Sequence, residues 1–137
     1  MKRRVIGSIL GVMLAVFVAG EALAAGAFYY YNLTVPRFGQ SVVTNNLPKN
    51  SATDPGIVCS GSIGGGYTMN ARYEKVDNTV VSPYQNFGAP QRIPFPFSSA
   101  VVANQYHARF ATNYSTPVNV QTQGYWSNDN PGPCPLP

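Results

Sequence analysis

Polar and apolar residues alternate along this chain with a period of two, and the alternation is clearest in two stretches. In 67–73, Tyr67, Met69, Ala71 and Tyr73 fall on one face and Thr68, Asn70 and Arg72 on the other. In 104–112, Tyr106, Ala108 and Phe110 oppose Gln105, His107 and Arg109. Successive side chains of a strand point to opposite faces, so both stretches read as half-buried antiparallel strands. Shorter runs rich in Val, Tyr, Phe and Thr occupy 28–35, 40–44, 57–60, 79–82 and 117–121. Pro and Gly punctuate the chain before any helical period of apolar positions develops in 25–137. The stretch 82–97 holds four prolines and reads as an irregular loop with short extended pieces, because proline is confined to strand edges. The stretch 45–56 reads as a turn-rich loop, and the tail from Gly124 onward as turn chemistry. About six or seven strands at this spacing predict an all-β fold, a small antiparallel β-sandwich or barrel.

The first two dozen residues follow a different pattern. Lys2, Arg3 and Arg4 precede an uncharged, largely apolar run over 5–20, and Ala22 and Ala24 stand at the −3 and −1 positions of an A-x-A cleavage site. This is the grammar of a helical secretory signal peptide. Its apolar run is shorter than the roughly 20 residues a spanning helix needs, so contact with a membrane is expected only during export. The expected organisation is a signal peptide over 1–24, one secreted β-domain over 25–137 and an extracellular location. The short MKRR start points to a bacterium, and the sequons at Asn32 and Asn113 are therefore read as coincidental.

Removing the leader changes the electrostatics. The whole chain carries a formal +4. Residues 25–137 keep six basic side chains (Arg37, Lys49, Arg72, Lys75, Arg92, Arg109) against four acids (Asp54, Glu74, Asp77, Asp129), a net of +2. The charges are scattered and form no basic run, so nucleic acid has no electrostatic footprint to bind. Aromatic residues make up 12% of the chain, which separates it from disordered sequences, since these are poor in aromatics.

An export signal also decides how the two cysteines are read. Cys59 and Cys134 predict one disulfide, the single intramolecular connection that two cysteines allow. The loop it closes spans about 75 residues, worth roughly 4 kcal/mol in the chain-entropy model.

Candidate chemistry is sparse. His107 is the only histidine and sits on the polar face of its strand, where an exposed cross-strand role is expected; no G-x-S-x-G elbow accompanies it. The four acids are well separated, and Asp54 before Pro55 and Asp77 before Asn78 have turn explanations. No zinc-ligand spacing is present, and the segment 128–130 lacks the Gly and closing Glu of a calcium loop. The glycine run in 61–67 lacks the Lys-Ser/Thr of a phosphate loop and reads as a turn or bulge. No catalytic residue, metal or cofactor is expected.

The aromatic set carries the remaining signal: nine Tyr, seven Phe and one Trp. Tyr29, Tyr30, Tyr31, Tyr125 and Trp126 gather near the two ends of 25–137, and Tyr29, Tyr31, Tyr125 and Trp126 are the candidate binding surface. Tyr and Trp offer large rigid contact area at low entropy cost. The expected function is a non-enzymatic binding or structural role at the bacterial surface or outside the cell, with a cell-wall glycan or another extracellular protein as partner. A small, mildly cationic, disulfide-closed form also fits a bacteriocin-like toxin, and a secreted hydrolase using His107 or paired acids is the third reading. The leader, the short Tyr/Val strands and the aromatic-Ser-Asn/Asp segment at 125–129 resemble, in outline only, small secreted proteins of Gram-positive bacteria, some of them bacteriocin-like.

Overall fold

The computed structural model describes residues 26–100 and 102–135; the expected leader over 1–24, with Ala22 and Ala24, lies outside the described residues. The described chain is all-β. Nine strands form: β1 (Tyr29–Val35), β2 (Ser41–Val43), β3 (Leu47–Pro48), β4 (Gly56–Ile63), β5 (Met69–Lys75), β6 (Gln85–Phe87), β7 (Gln91–Phe95), β8 (Gln105–Ala111) and β9 (Val120–Ser127). They make two antiparallel sheets packed as a β-sandwich. The first sheet has the order β1-β9-β4-β7; the second has β2-β8-β5-β6, with β3 following β2 along the same edge of β8. Among these strands only β5 and β6 are both consecutive and paired, so every other ladder joins distant parts of the chain.

The two cleanest alternations become β5 and β8, and their apolar faces meet the first sheet across the core. Met69, Ala71 and Tyr73 of β5 and Tyr106, Ala108 and Phe110 of β8 are buried there. The first sheet contributes Val35, Val58, Ile93, Phe95 and Trp126. Tyr73 spans the sandwich: its ring packs on Phe95 at 5.3 Å and Phe97 at 5.1 Å between centroids. Its hydroxyl lies 2.9 Å from the Ile57 carbonyl and 2.7 Å from the Ser127 carbonyl in the opposite sheet.

The structure refines three sequence expectations. The proline-rich stretch 82–97 holds two strands, β6 and β7, and Pro94 is accommodated because β7 is an edge. The glycine run supplies a bulge between Ser60 and Ser62 and a 3-10 turn at Gly64–Gly66. The last strand starts at Val120 and runs through the segment expected to be turns, ending at Ser127, while Val118 stays exposed. β9 extends this far because it is paired on both sides, to β1 and to β4. Gly124 permits the close approach: a Cβ there would sit 2.1 Å from the Cys59 carbonyl oxygen.

Cys59 and Cys134 form the disulfide, with Cα atoms 5.8 Å apart and 75 residues of separation. It ties the chain's last described residues to β4. Thiol titration of the unfolded, unreduced protein should find no free thiol. Replacing both cysteines by serine should lower unfolding free energy by roughly 4 kcal/mol, read from urea titration.

Candidate functional site

Pairing of β1 with β9 sets Tyr30 opposite Tyr125, and the period of two sends both to the outer face of the first sheet. Their rings meet edge to face at 5.6 Å and 67°, and the Tyr30 hydroxyl donates to Gln123 Oε1 at 3.2 Å. Tyr30 remains 57% exposed. The two rings border a cleft of about 690 Å³ that also takes in Gln91, Arg92 and the Cys59–Cys134 bridge. Arg92 Nη2 donates to Asn130 Oδ1 at 2.9 Å and to the Gly132 carbonyl at 3.3 Å, which seats the tail beside the cleft.

The four aromatic residues nominated from the sequence are divided by the same alternation. Tyr125 lines the cleft. Tyr29 does not line the cleft: it shares the parity of Tyr31 at the start of β1, 45% exposed and 6.2 Å from the Trp126 ring. Tyr31 and Trp126 face inward and are core residues, 3% and 2% exposed, rather than surface. Tyr31 packs on Phe110 at 4.7 Å, and burial pushes its phenol up to about 12 against the pull of the Thr122 and Ser60 hydroxyls. The ring that completes the outer cluster is Tyr30, the middle of three consecutive tyrosines. Once β1 is fixed as a strand, parity alone separates Tyr30 from Tyr29 and Tyr31.

The outer face of the second sheet carries a charge centre that the sequence did not reveal. Arg72 faces Arg109 across β5 and β8, and Glu74 faces His107. Two like charges directly opposite are unfavourable. Glu74 resolves the conflict: Arg72 Nε donates to its Oε1 at 2.8 Å, and Arg109 Nε donates to Oε1 and Oε2 at 2.8 and 2.9 Å. His107 Nε2 lies 3.0 Å from Glu74 Oε2, and Nδ1 lies 2.8 Å from Asn46 Oδ1. His107 is on the polar face, as expected, but buried rather than exposed, because Asn46 and Glu74 enclose it. Burial would raise the Glu74 carboxyl; hydrogen bonds from Arg109, His107 and Arg72 outweigh it and hold the group below its ordinary value. Arg72 is stacked over the Tyr84 ring at 4.4 Å, and Arg109 also donates to Ser41 Oγ and Asn78 Oδ1. No serine, threonine or cysteine stands against either ring nitrogen of His107 in these contacts.

A second buried ion pair lies where the 45–56 loop meets the end of β9. Lys49 is fully buried; its Nζ donates to the Asp54 carbonyl at 2.7 Å, to the Asn128 carbonyl, and to Asp129 Oδ1 at 3.3 Å. The Phe97 ring lies 4.4 Å from the ammonium. Asp129 also accepts the backbone N–H groups of Asn50 and Ser51, each at 3.0 Å. The segment 128–130, read from sequence as a turn, is thus the anchor of the preceding loop. Among the described residues no group of three or more His, Cys, Asp and Glu is placed to hold a metal ion.

No family model, curated protein or solved structure matches this chain.

Glu74→Gln should cost roughly 3 kcal/mol of stability, because it leaves two arginines facing each other over a neutral group. The sign of the pH effect follows from the lowered native value. Glu74 contributes its full stabilisation above the ordinary glutamate value of 4.5, and loses it as pH falls through the lower native value. Thermal melts across that acid range should show wild-type stability falling with pH more steeply than that of Glu74→Gln.

Proposed function

We propose that this protein is a secreted, non-enzymatic β-sandwich that binds a cell-wall glycan outside the cell, through the outer face of its first sheet. The observation that carries the reading is the cleft beside Tyr30 and Tyr125. It combines two tyrosine rings at a fixed mutual angle with the amides of Gln91 and Gln123 and the guanidinium of Arg92. A sugar ring presents an apolar C–H face bordered by hydroxyls. Aromatic rings cover the first and amide or guanidinium groups meet the second, with little side-chain entropy lost in the rings. The cleft is also of a size that takes a small ligand. The contacts of His107 support binding rather than hydrolysis: its ring nitrogens are taken by Glu74 and Asn46, and the buried Glu74 carboxylate is itself held by Arg72 and Arg109, which leaves neither group open to a ligand.

Retention on purified cell wall, followed by titration calorimetry with soluble cell-wall oligosaccharides, tests the reading. Wild type should bind, and Tyr30→Ala should lose roughly tenfold in affinity with an unchanged melting curve, as for an exposed aromatic anchor. Failure of the wild type to be retained on cell wall and to bind any oligosaccharide overturns the glycan reading.

A further inference from the structure

A β-sandwich of this kind has four sheet edges, and three of them are protected. β7 contains Pro94 and the exposed Arg92, and its Pro94 carbonyl is taken by Gln85 Nε2 at 2.7 Å from the neighbouring sheet. β6 is three residues long. The opposite edge of the second sheet is broken into β2, three residues, and β3, two residues that include Pro48. Short strands, charge and proline are the devices by which sheet proteins discourage pairing with other chains.

β1 has none of them. It is seven residues long, YYYNLTV, without proline, glycine or charge. Its register with β9 is unbroken from Tyr29 to Val35, with no bulge to twist the edge away. No hydrogen bond from another described residue reaches its outer edge; its side chains bond only inward, to Gln123 and Gln121 of β9.

From this we infer that β1 is an association edge and that its partner is β1 of a second copy, paired antiparallel about a two-fold axis at Asn32. The sequence of the strand fits itself in that register. Asn32 meets Asn32 of the other copy. On the inner face Tyr31 is set against Leu33, and Tyr29 against Val35. On the outer face Tyr30 is set against Thr34. Tyr31 and Val35 are already buried in their own copy, 3% and 0% exposed, so the new cover falls on Tyr29, Tyr30, Asn32, Leu33 and Thr34. The Tyr30–Thr34 pair sets a ring against a β-branched partner and no like charges oppose, which are favourable cross-strand combinations. One surface patch serves both copies, as an isologous two-fold contact requires. The half-exposed Tyr29 and the half-buried Leu33 both gain cover in this arrangement.

Sedimentation velocity over a concentration series, with hydrogen exchange on the same samples, tests the pairing in the purified protein. The wild type should pass from monomer to dimer, and the β1 amides should gain protection in step. Asn32→Lys sets two positive charges opposite each other at the axis and should shift the midpoint by roughly tenfold or more. Thr34→Lys, also exposed and on the same strand, should weaken the dimer in the same direction. Val76→Lys places the same charge at an exposed turn of the second sheet, away from β1, and should leave the midpoint near wild type. A wild type that sediments as a monomer even in a millimolar sample overturns the inference. So does a dimer that survives both β1 substitutions, or one whose β1 amides stay unprotected.

Discussion

The relation between the two sheets rests on Tyr73. Its side chain starts in β5 of the second sheet, crosses the core, and ends between β4 and β9 of the first. Ile57 and Ser127, whose carbonyls face the phenol, are themselves partners across the β4–β9 ladder. One hydroxyl therefore serves both strands at the same point. A buried carbonyl left without a donor costs roughly 1–3 kcal/mol, so sliding one sheet over the other is resisted at this contact. Gly56 is fixed by the same ring: a Cβ there would lie 2.7 Å from Tyr73 Cζ. Burial drives the phenol well above its ordinary value, so the donor persists when exposed tyrosines begin to ionise.

Around this contact the molecule buries charge twice, which is expensive unless each ion finds a full set of partners. Lys49 meets that condition with three acceptors for three protons, and Asp129 with two backbone N–H groups besides the ammonium. Desolvation still pulls the Lys49 ammonium below its ordinary value, against the opposing pull of Asp129 and Asp54. What the pair accomplishes is positional: it joins the loop after β3 to the end of β9, and the close approach of Gly26 to Asp129 brings the entry to β1 to the same place. Glu74 plays the matching part on the outer face of the second sheet, where it makes an Arg-on-Arg register tolerable. In a fold whose ladders nearly all join distant segments, these pairs favour one register over its neighbours, since a one-residue slip would move every ion to the wrong face.

The period of two made the fold class, β5 and β8 legible, because those strands carry one wet and one buried face. Export logic made the disulfide legible. What stayed hidden has a common cause: it depends on pairing between distant segments. Glu74 and Lys49 look like ordinary solvated charges until β8 and the end of β9 are brought beside them. Only the start of β9 is legible, in the run 117–121; its continuation to Ser127 is hidden behind Gly124 and a run of turn-forming residues, although pairing on both sides makes β9 one of the two interior strands of its sheet. Tyr31 and Trp126 were misplaced for a simpler reason. A cluster of aromatic residues in consecutive positions is necessarily shared between both faces of a strand, so proximity in sequence is a poor guide to a common surface. The sole signal able to separate Tyr30 from its neighbours was parity relative to Val35, which is fully buried.

Tyr30 and the open edge of β1 belong to the same strand, and this links the two surfaces physically. Antiparallel pairing of two β1 strands would continue the first sheet from one copy into the next, so that both outer faces lie on the same side. Two clefts would then face the same direction, related by the axis at Asn32 and close to it. For a polymeric ligand with repeating units, the second contact becomes intramolecular once the first is made, and overall retention can exceed single-site affinity by roughly 100-fold without any new contact. A cleft whose one charged lining group, Arg92, is exposed to solvent is the kind of site for which such pairing has the largest effect.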